Sequence, residues 1–141
     1  MSFLLALQKQ IFHLIFSDEI ITKNVYGVYT HIPAAAKMPY IYVAETVLVS
    51  TRLSFCTRYD CDLILKVFFD SCSNKGCCEV LHRLKEILES SNIAIKGWTL
   101  SPTKVVQVSV EQSQNDLIWR GEMLAKLWCI SESPDLSVIV K

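Results

Sequence analysis

Glycine and proline are scarce in this chain, four of each in 141 residues, against roughly ten and seven at average usage. Charge is scarce as well: 20% of the residues are Asp, Glu, Lys or Arg, and 14 acids balance 14 bases to a net charge of zero. A disordered chain needs the opposite combination, low hydrophobicity with an excess of one charge, so a folded domain is expected. Equal numbers of acids and bases also remove the clustered cations that counterion release demands, which argues against a general or sequence-specific nucleic-acid binder. Long apolar runs are missing. The longest, residues 3–7 and 40–44, fall far short of the roughly 20 residues that a bilayer span requires, and no membrane role is expected. The N-terminus opens apolar but has no basic stretch ahead of it, is interrupted at Gln8, Lys9 and Gln10, and shows no small-x-small cleavage site. It reads as the first helix of a mature protein rather than as an export leader.

What the chain does hold is hydrophobic matter, 51% of its residues, with a mean hydropathy of +0.31. A chain of this length is about one domain and buries roughly 68–70% of the surface its unfolded form exposes. The apolar content exceeds what one small core needs, and the surplus calls for a partner surface. Six cysteines, Cys56, Cys61, Cys72, Cys77, Cys78 and Cys129, in a chain without an export signal are expected to be reduced thiols in a cytosol. Their even number does not imply bridges, because so apolar a domain needs no staples.

Residues 3–16 place Leu4, Leu7, Ile11, Leu14 and Ile15 three and four apart, with Gln8, Lys9 and His13 elsewhere on the wheel. That is the pattern of an amphipathic helix, ended by Ser17-Asp18. A connector through Lys23 and Asn24 follows. Residues 25–29 are β-branched and aromatic and read as a short strand entering the loop 31–39, which Pro33 and Pro39 hold extended; residues 40–49 form the next strand. A polar connector, residues 50–57, leads to a strand at 58–69. There Cys61, Leu63, Leu65, Val67 and Phe69 alternate with Asp60, Asp62, Ile64, Lys66 and Phe68. The first set is core. The second is mixed, and Ile64 and Phe68 stay exposed unless something covers them, the first local sign of an interaction surface.

Residues 70–76 form a break rich in helix-start residues, after which Cys77, Val80, Leu81, Leu84, Ile87 and Leu88 make a helical stripe closed at 90–92. Residues 93–95 and Gly97-Trp98 lead over Pro102 to a half-buried strand at 104–111, in which Val106, Val108 and Val110 alternate with Gln107, Ser109 and Glu111. After a polar turn at 112–116, residues 118–130 form a long last strand in which Met123, Ala125, Leu127 and Cys129 oppose Glu122, Leu124, Lys126 and Trp128. This order predicts an α+β fold, an antiparallel sheet with two main helices packed on one face as a two-layer sandwich. No repeat or linker divides it: residues 1–130 read as one domain and 131–141 as a C-terminal tail, flexible or docked on a neighbour.

Three clusters are candidates for chemistry. Cys78 and His82 share a helix face with Cys77 or Cys72 nearby, which suggests zinc, but the cysteine gaps are not those of a zinc turn and buried structural thiols are the plainer reading. A nucleophilic thiol at Cys77 or Cys78 with His82 or His31 has a helix N-terminus to favour it, yet no orienting third group at a recognisable spacing. Asp60 and Asp62, two apart on a strand, point to one face as an acid–base pair would, and Arg58 and Lys66 beside them fit a solvated edge equally well. There is no Gly-rich phosphate loop, no G-x-S-x-G and no H-E-x-x-H.

Val25-Tyr26, then His31-Ile-Pro33, then Met38-Pro39-Tyr40-Ile-Tyr-Val-Ala-Glu45 resembles the segment V-Y-x-x-x-P-x-x-x-x-x-P-Y-x-x-x-x-E of the tail-completion proteins of long-tailed bacteriophages and phage-derived gene transfer agents, also called tail terminators or head-to-tail joining proteins. The preceding helix, the long strand at 58–69, the helix after Gly76, the pair Gly97-Trp98 and the last strand introduced by Trp119-Arg120-Gly121 follow in the family's order. The resemblance covers roughly residues 3–130. It departs from the family at the turn before the last strand, Gln-Asn-Asp-Leu instead of an Asp-Gly type, and at Cys77 and Cys78, where small residues are common.

The resemblance implies a non-enzymatic ring, commonly a hexamer, which caps the head-proximal end of the tail tube, stops its polymerisation and presents a docking surface to the neck of the capsid. The partners it implies are further copies of the chain, the tail-tube protein and a head or neck connector protein. It implies no cofactor and no metal, and it sets assembly in the bacterial cytoplasm with the finished subunit in the particle's tail. A ring needs two dissimilar patches per subunit. The candidates are the face carrying Ile64 and Phe68, the face of the last strand carrying Leu124 and Trp128, and the connector with Arg52, Phe55 and Arg58 in or beside it, expected to meet the tail tube or the adjoining subunit. The alternatives are a small cytosolic thiol- or metal-dependent enzyme and a monomeric binding module of the same fold class.

Overall fold

The computed structural model describes residues 3–113 and 117–131. In chain order they form α1 (Phe3–Phe16), α2 (Glu19–Asn24), β1 (Gly27–Tyr29), β2 (Tyr40–Arg52), β3 (Thr57–Asp70), α3 (Lys75–Ser90), β4 (Trp98–Leu100), β5 (Lys104–Gln112) and β6 (Ile118–Ser131). The middle of the turn expected at 112–116, and all of the expected tail except Ser131, lie outside the described residues.

The long central strands carry the fold. β3 and β6 pair antiparallel from Arg58↔Ile130 to Asp70↔Ile118, and β2 pairs antiparallel with β3 from Tyr40↔Phe68 to Arg52↔Thr57. The far side of β6 is shared by β5, opposite residues 119–126, and β4, opposite 129–131. On the near side β1 covers only the start of β2. This is an α+β fold, as the element order predicts. The sheet is mixed and not wholly antiparallel, however, because β1 runs parallel to β2, with Gly27 beside Tyr40. A parallel return normally needs a long crossover. Here β1 is only three residues long, so the loop 30–39, with a cis peptide at Met38-Pro39, suffices to carry the chain back to its start.

One face of the sheet is core. Leu63, Leu65 and Val67 of β3 and Met123 and Ala125 of β6 are fully enclosed, as their alternation predicts. The helices supply the other layer: α3 buries all six residues of its expected stripe, Cys77, Val80, Leu81, Leu84, Ile87 and Leu88. α1 buries Phe3, Leu7, Ile11 and Ile15, leaving Leu4 and Leu14 half-buried at the margin. Each such aliphatic side chain contributes roughly 1.5–3 kcal/mol by leaving water. Phe3 closes the core at one end, its ring 5.7 Å from Tyr59 and 4.9 Å from Trp98. At the other end α3 lies so close over β6 that a Cβ on Gly121 would come within 3.0 Å of the Cys77 sulfur and 2.5 Å of Leu81 Cδ1.

The connector expected after α1 contains α2. Asp18 caps it, accepting a hydrogen bond from the Ile21 amide at 3.1 Å, and the same carboxylate receives the Arg83 guanidinium of α3 through Nε at 3.1 and 3.2 Å and Nη2 at 2.6 Å. The Arg83 hydrogen bonds hold the Asp18 carboxyl below its ordinary range against the opposing effect of burial. One side chain thus starts a helix and ties it to α3. The turn before β4 depends on Gly97, at φ +88°, a conformation that a side chain makes costly.

Two β-bulges set which residues face where. Register shifts between Val43 and Glu45 on β2 and between Val105 and Gln107 on β5, and one extra residue reverses the faces of everything beyond it. Val106 is the extra residue on β5 and is exposed, while Val105 is buried and Val108 and Val110 lie towards α3 beside Cys78, Leu81 and His82. The strict alternation of Val106, Val108 and Val110 expected from sequence is therefore broken at its first member.

Candidate functional site

The sheet face away from the helices is not covered by any described element. Across it the register builds rows: Tyr40, Phe68, Arg120 and Glu111; Glu45, Ile64, Leu124 and Gln107; Val47, Asp62, Lys126 and Lys104; and Val49, Asp60 and Trp128. Five of the seven residues singled out from sequence, Arg58, Ile64, Phe68, Leu124 and Trp128, lie on this face because each sits one residue out of step with the buried set. Ile64 and Leu124 are direct cross-strand partners near its middle. Phe68 is half-buried against the Tyr40 ring at 5.1 Å, and Trp128 lies under the Arg58 guanidinium, 5.2 Å from its ring centre.

The remaining two residues stand apart. The expected connector 50–57 is mostly strand: β2 runs to Arg52, β3 begins at Thr57, and the turn between them closes with the Leu53 amide donating to the Cys56 carbonyl at 2.8 Å. Arg52 therefore ends a strand, and Phe55, 69% exposed, stands at the tip of a long hairpin. Reading this segment as loop underestimates β2, because Ser50, Thr51 and Arg52 carry no apolar alternation although they pair with Tyr59, Arg58 and Thr57.

Two grooves mark the ends of the open face. One, of about 380 Å³, lies among Met38, Tyr40, Phe68, Glu111, Ile118 and Arg120; burial and the neighbouring Tyr29 raise the Tyr40 phenol's pKa. The other, of about 540 Å³, lies where β4 gives way to β5, among Asp60, Asp62, Ser101, Lys104, Lys126 and Trp128. Three cations on this face meet acids. Arg58 reaches Asp60 at 3.0 Å, Lys126 reaches Asp62 at 3.6 Å, and Arg120 is paired with Glu111. Asp60 and Asp62 do share a face as their spacing requires, and each ends on a cation.

The thiols divide by depth. Cys61, Cys77 and Cys129 are buried, Cys56 is half-buried, and Cys72 and Cys78 are exposed. Burial, reinforced by the adjacent Cys129, pushes the Cys61 thiol up to about 12; burial pushes Cys77 up to about 11 and raises Cys129. A nucleophilic cysteine needs the reverse shift. His82 Nε2 lies 3.0 Å from Glu86 Oε1, and among the described residues no three His, Cys, Asp or Glu side chains are grouped to hold a metal ion. No described helix is long and apolar enough to cross a membrane.

Some members of this face carry little local signal. Val47 and Val49 of β2 are 44% and 59% exposed, and they reach the open side only because the bulge at Ala44 reverses the strand's phase. Tyr40 precedes that bulge and lies on the same side through the opposite parity.

No protein-family model matches this chain, and no curated protein matches it. Among solved structures, a chain of the "Virion of native gene transfer agent (GTA) particle" is similar to it with a TM-score of 0.81, over 92% of this chain and 100% of that one, at 10% sequence identity. At that identity the likeness is one of fold alone.

Proposed function

We propose that this chain is a structural subunit of a tailed-phage or gene-transfer-agent particle and not an enzyme. Six copies close into a ring at the head-proximal end of the tail tube, stop its polymerisation and offer the neck of the capsid a docking surface. The partners are other copies of the chain, the tail-tube protein and a head or neck connector protein, and no cofactor takes part. Assembly proceeds in the bacterial cytoplasm and the subunit finishes in the particle's tail. The observation that carries this reading is the likeness in fold to the whole of a chain from a gene transfer agent virion. The collinear series Val25-Tyr26, Pro33, Pro39-Tyr40, Glu45, Gly76, Gly97-Trp98 and Gly121 supports it. So does an open sheet face on which exposed apolar side chains lie among locally neutralised charges, a surface suited to protein association. Arg58, Ile64, Phe68, Leu124 and Trp128 on that face, with Arg52 and Phe55 on the hairpin, are the proposed contacts.

Two measurements test the reading. Light scattering on the purified protein is expected to give a discrete species of six times the 16.0 kDa protomer. Added to a polymerising tail-tube protein of the same particle, the chain is expected to arrest tube growth at a fixed length, visible by electron microscopy. A strict monomer at high concentration together with unaffected tube growth would sink it.

A further inference from the structure

Among the described residues the sheet ends in two open edges, one on each side. β2 is 13 residues long, yet β1 pairs with only its first three, so residues 43–51 have no strand on their outer side among the described residues. On the opposite side β5, nine residues long, pairs with β6 alone. Its first outward amide, that of Val105, is taken by the Glu89 carboxylate at 3.1 Å, and its outer edge beyond that point faces no described strand. Edges of this length are templates for another strand, and proteins normally blunt them with proline, lysine or bulges. Residues 43–51 and 106–112 contain no proline or lysine, and the bulges at Ala44 and Val106 lie at one end of each edge, leaving residues 45–51 and 107–112 in regular register. Instead, exposed β-branched residues stand on both edges: Val47 and Val49 on β2, Val106 and Val108 on β5.

We propose that copies of this chain join edge to edge, the outer edge of β2 in one protomer pairing with the outer edge of β5 in the next, so that the sheet continues from subunit to subunit. This deepens the ring reading above and rests on it. The occupant of each edge is a second copy, because each edge is what the other lacks. They are similar in length, each carries exposed valines and a single acid, and they lie on opposite sides of one sheet. Direction also fits. β2 and β6 each run antiparallel to β3, and β5 runs antiparallel to β6, so β5 runs antiparallel to β2. Rotation about an axis roughly along the strands preserves that relation, so the neighbour's β5 meets β2 antiparallel, and the contact is the head-to-tail kind that closes a ring.

The test uses two variants at exposed positions, Val49→Arg on the β2 edge and Val106→Arg on the β5 edge. Each alone is expected to shift the wild-type assembly to the 16.0 kDa protomer with unchanged circular dichroism. An equimolar mixture retains one intact edge of each kind and is expected to give a dimer of twice that mass. As a check independent of the variants, hydrogen exchange on the wild type is expected to slow at residues 43–51 and 106–112 in the assembly relative to diluted protomer. A ring that survives both substitutions, or exchange unchanged at both edges, overturns edge pairing while leaving the ring intact. If Val49→Arg abolishes association while Val106→Arg on its own still dimerises, β2 pairs with its own copy and the β2–β5 contact is wrong. A wild-type monomer at every concentration overturns both readings.

Discussion

The six cysteines behave as two populations, and position relative to the sheet decides which. Cys61 and Cys129 fall on the buried side of adjacent strands, and Cys77 faces Gly121 beneath α3, so removal from water disfavours their thiolates. At pH 8 a thiol with a pKa near 11 or 12 is ionised to about one part in a thousand or less. A short treatment of native protein with iodoacetamide is therefore expected to label Cys72 and Cys78, then Cys56, and to reach the other three only in denaturant. Peptide mass spectrometry reads this directly, and rapid labelling of Cys61 or Cys77 in the native state would contradict the burial argument. The same shifts have a stability sign. Because the folded thiols titrate higher than unfolded ones, their contribution is complete below the ordinary thiol range and is lost as pH climbs towards 11 and 12.

Elements were legible where periodicity is local and long. All six residues of the α3 stripe and the buried set of β6 follow from a period of 3.6 or 2, because neighbouring side chains on one element share the same environment. α2 shows the limit. Its six residues, Glu-Ile-Ile-Thr-Lys-Asn, are too few for a stripe, and the available cue is Asp18 standing three residues ahead of buried Ile21 as a cap. What holds α2 in place is Arg83, 65 positions away. Asp18→Ala is expected to cost about 1 kcal/mol for the cap alone, with the ion pair lost in addition, and to lower the melting temperature by a few degrees. Asp18→Asn keeps a capping oxygen and removes the charge. Since the folded carboxyl titrates below its unfolded value, the wild type's advantage over Asp18→Asn is expected to be complete above about pH 4 and to vanish as pH falls through the folded value. Denaturant titrations at pH 7, 4 and 2.5 check it; an advantage independent of pH would exclude the ion pair as its source.

For the whole molecule, zero net charge and local pairing of Arg58 with Asp60, Lys126 with Asp62 and Arg120 with Glu111 leave little long-range field to attract or repel another copy. The proposed association through exposed valines, aromatics and strand edges should then depend weakly on ionic strength. The mass of the proposed assembly is expected to stay constant between 0.05 and 0.5 M NaCl, where the Debye length falls from about 14 to about 4 Å, whereas an assembly held by ion pairs would dissociate at the upper concentration. Light scattering across the salt series distinguishes them. The apolar surplus visible in composition thereby acquires an address: the open sheet face, the hairpin tip at Phe55 and the edges of β2 and β5.

By itself the sequence determined the class of fold and the faces of its longest elements, since alternation along β3, β6 and α3 is written residue by residue and each side chain's direction follows from its neighbours. The tertiary structure alone decided the parallel pairing of β1, the bulges at Ala44 and Val106, the Asp18–Arg83 clamp and which strand edges remain open. These depend on contacts between residues far apart in the chain. A bulge adds one residue without altering composition, yet it reverses every side chain beyond it, and an edge is open only because no other described segment of the chain comes to cover it.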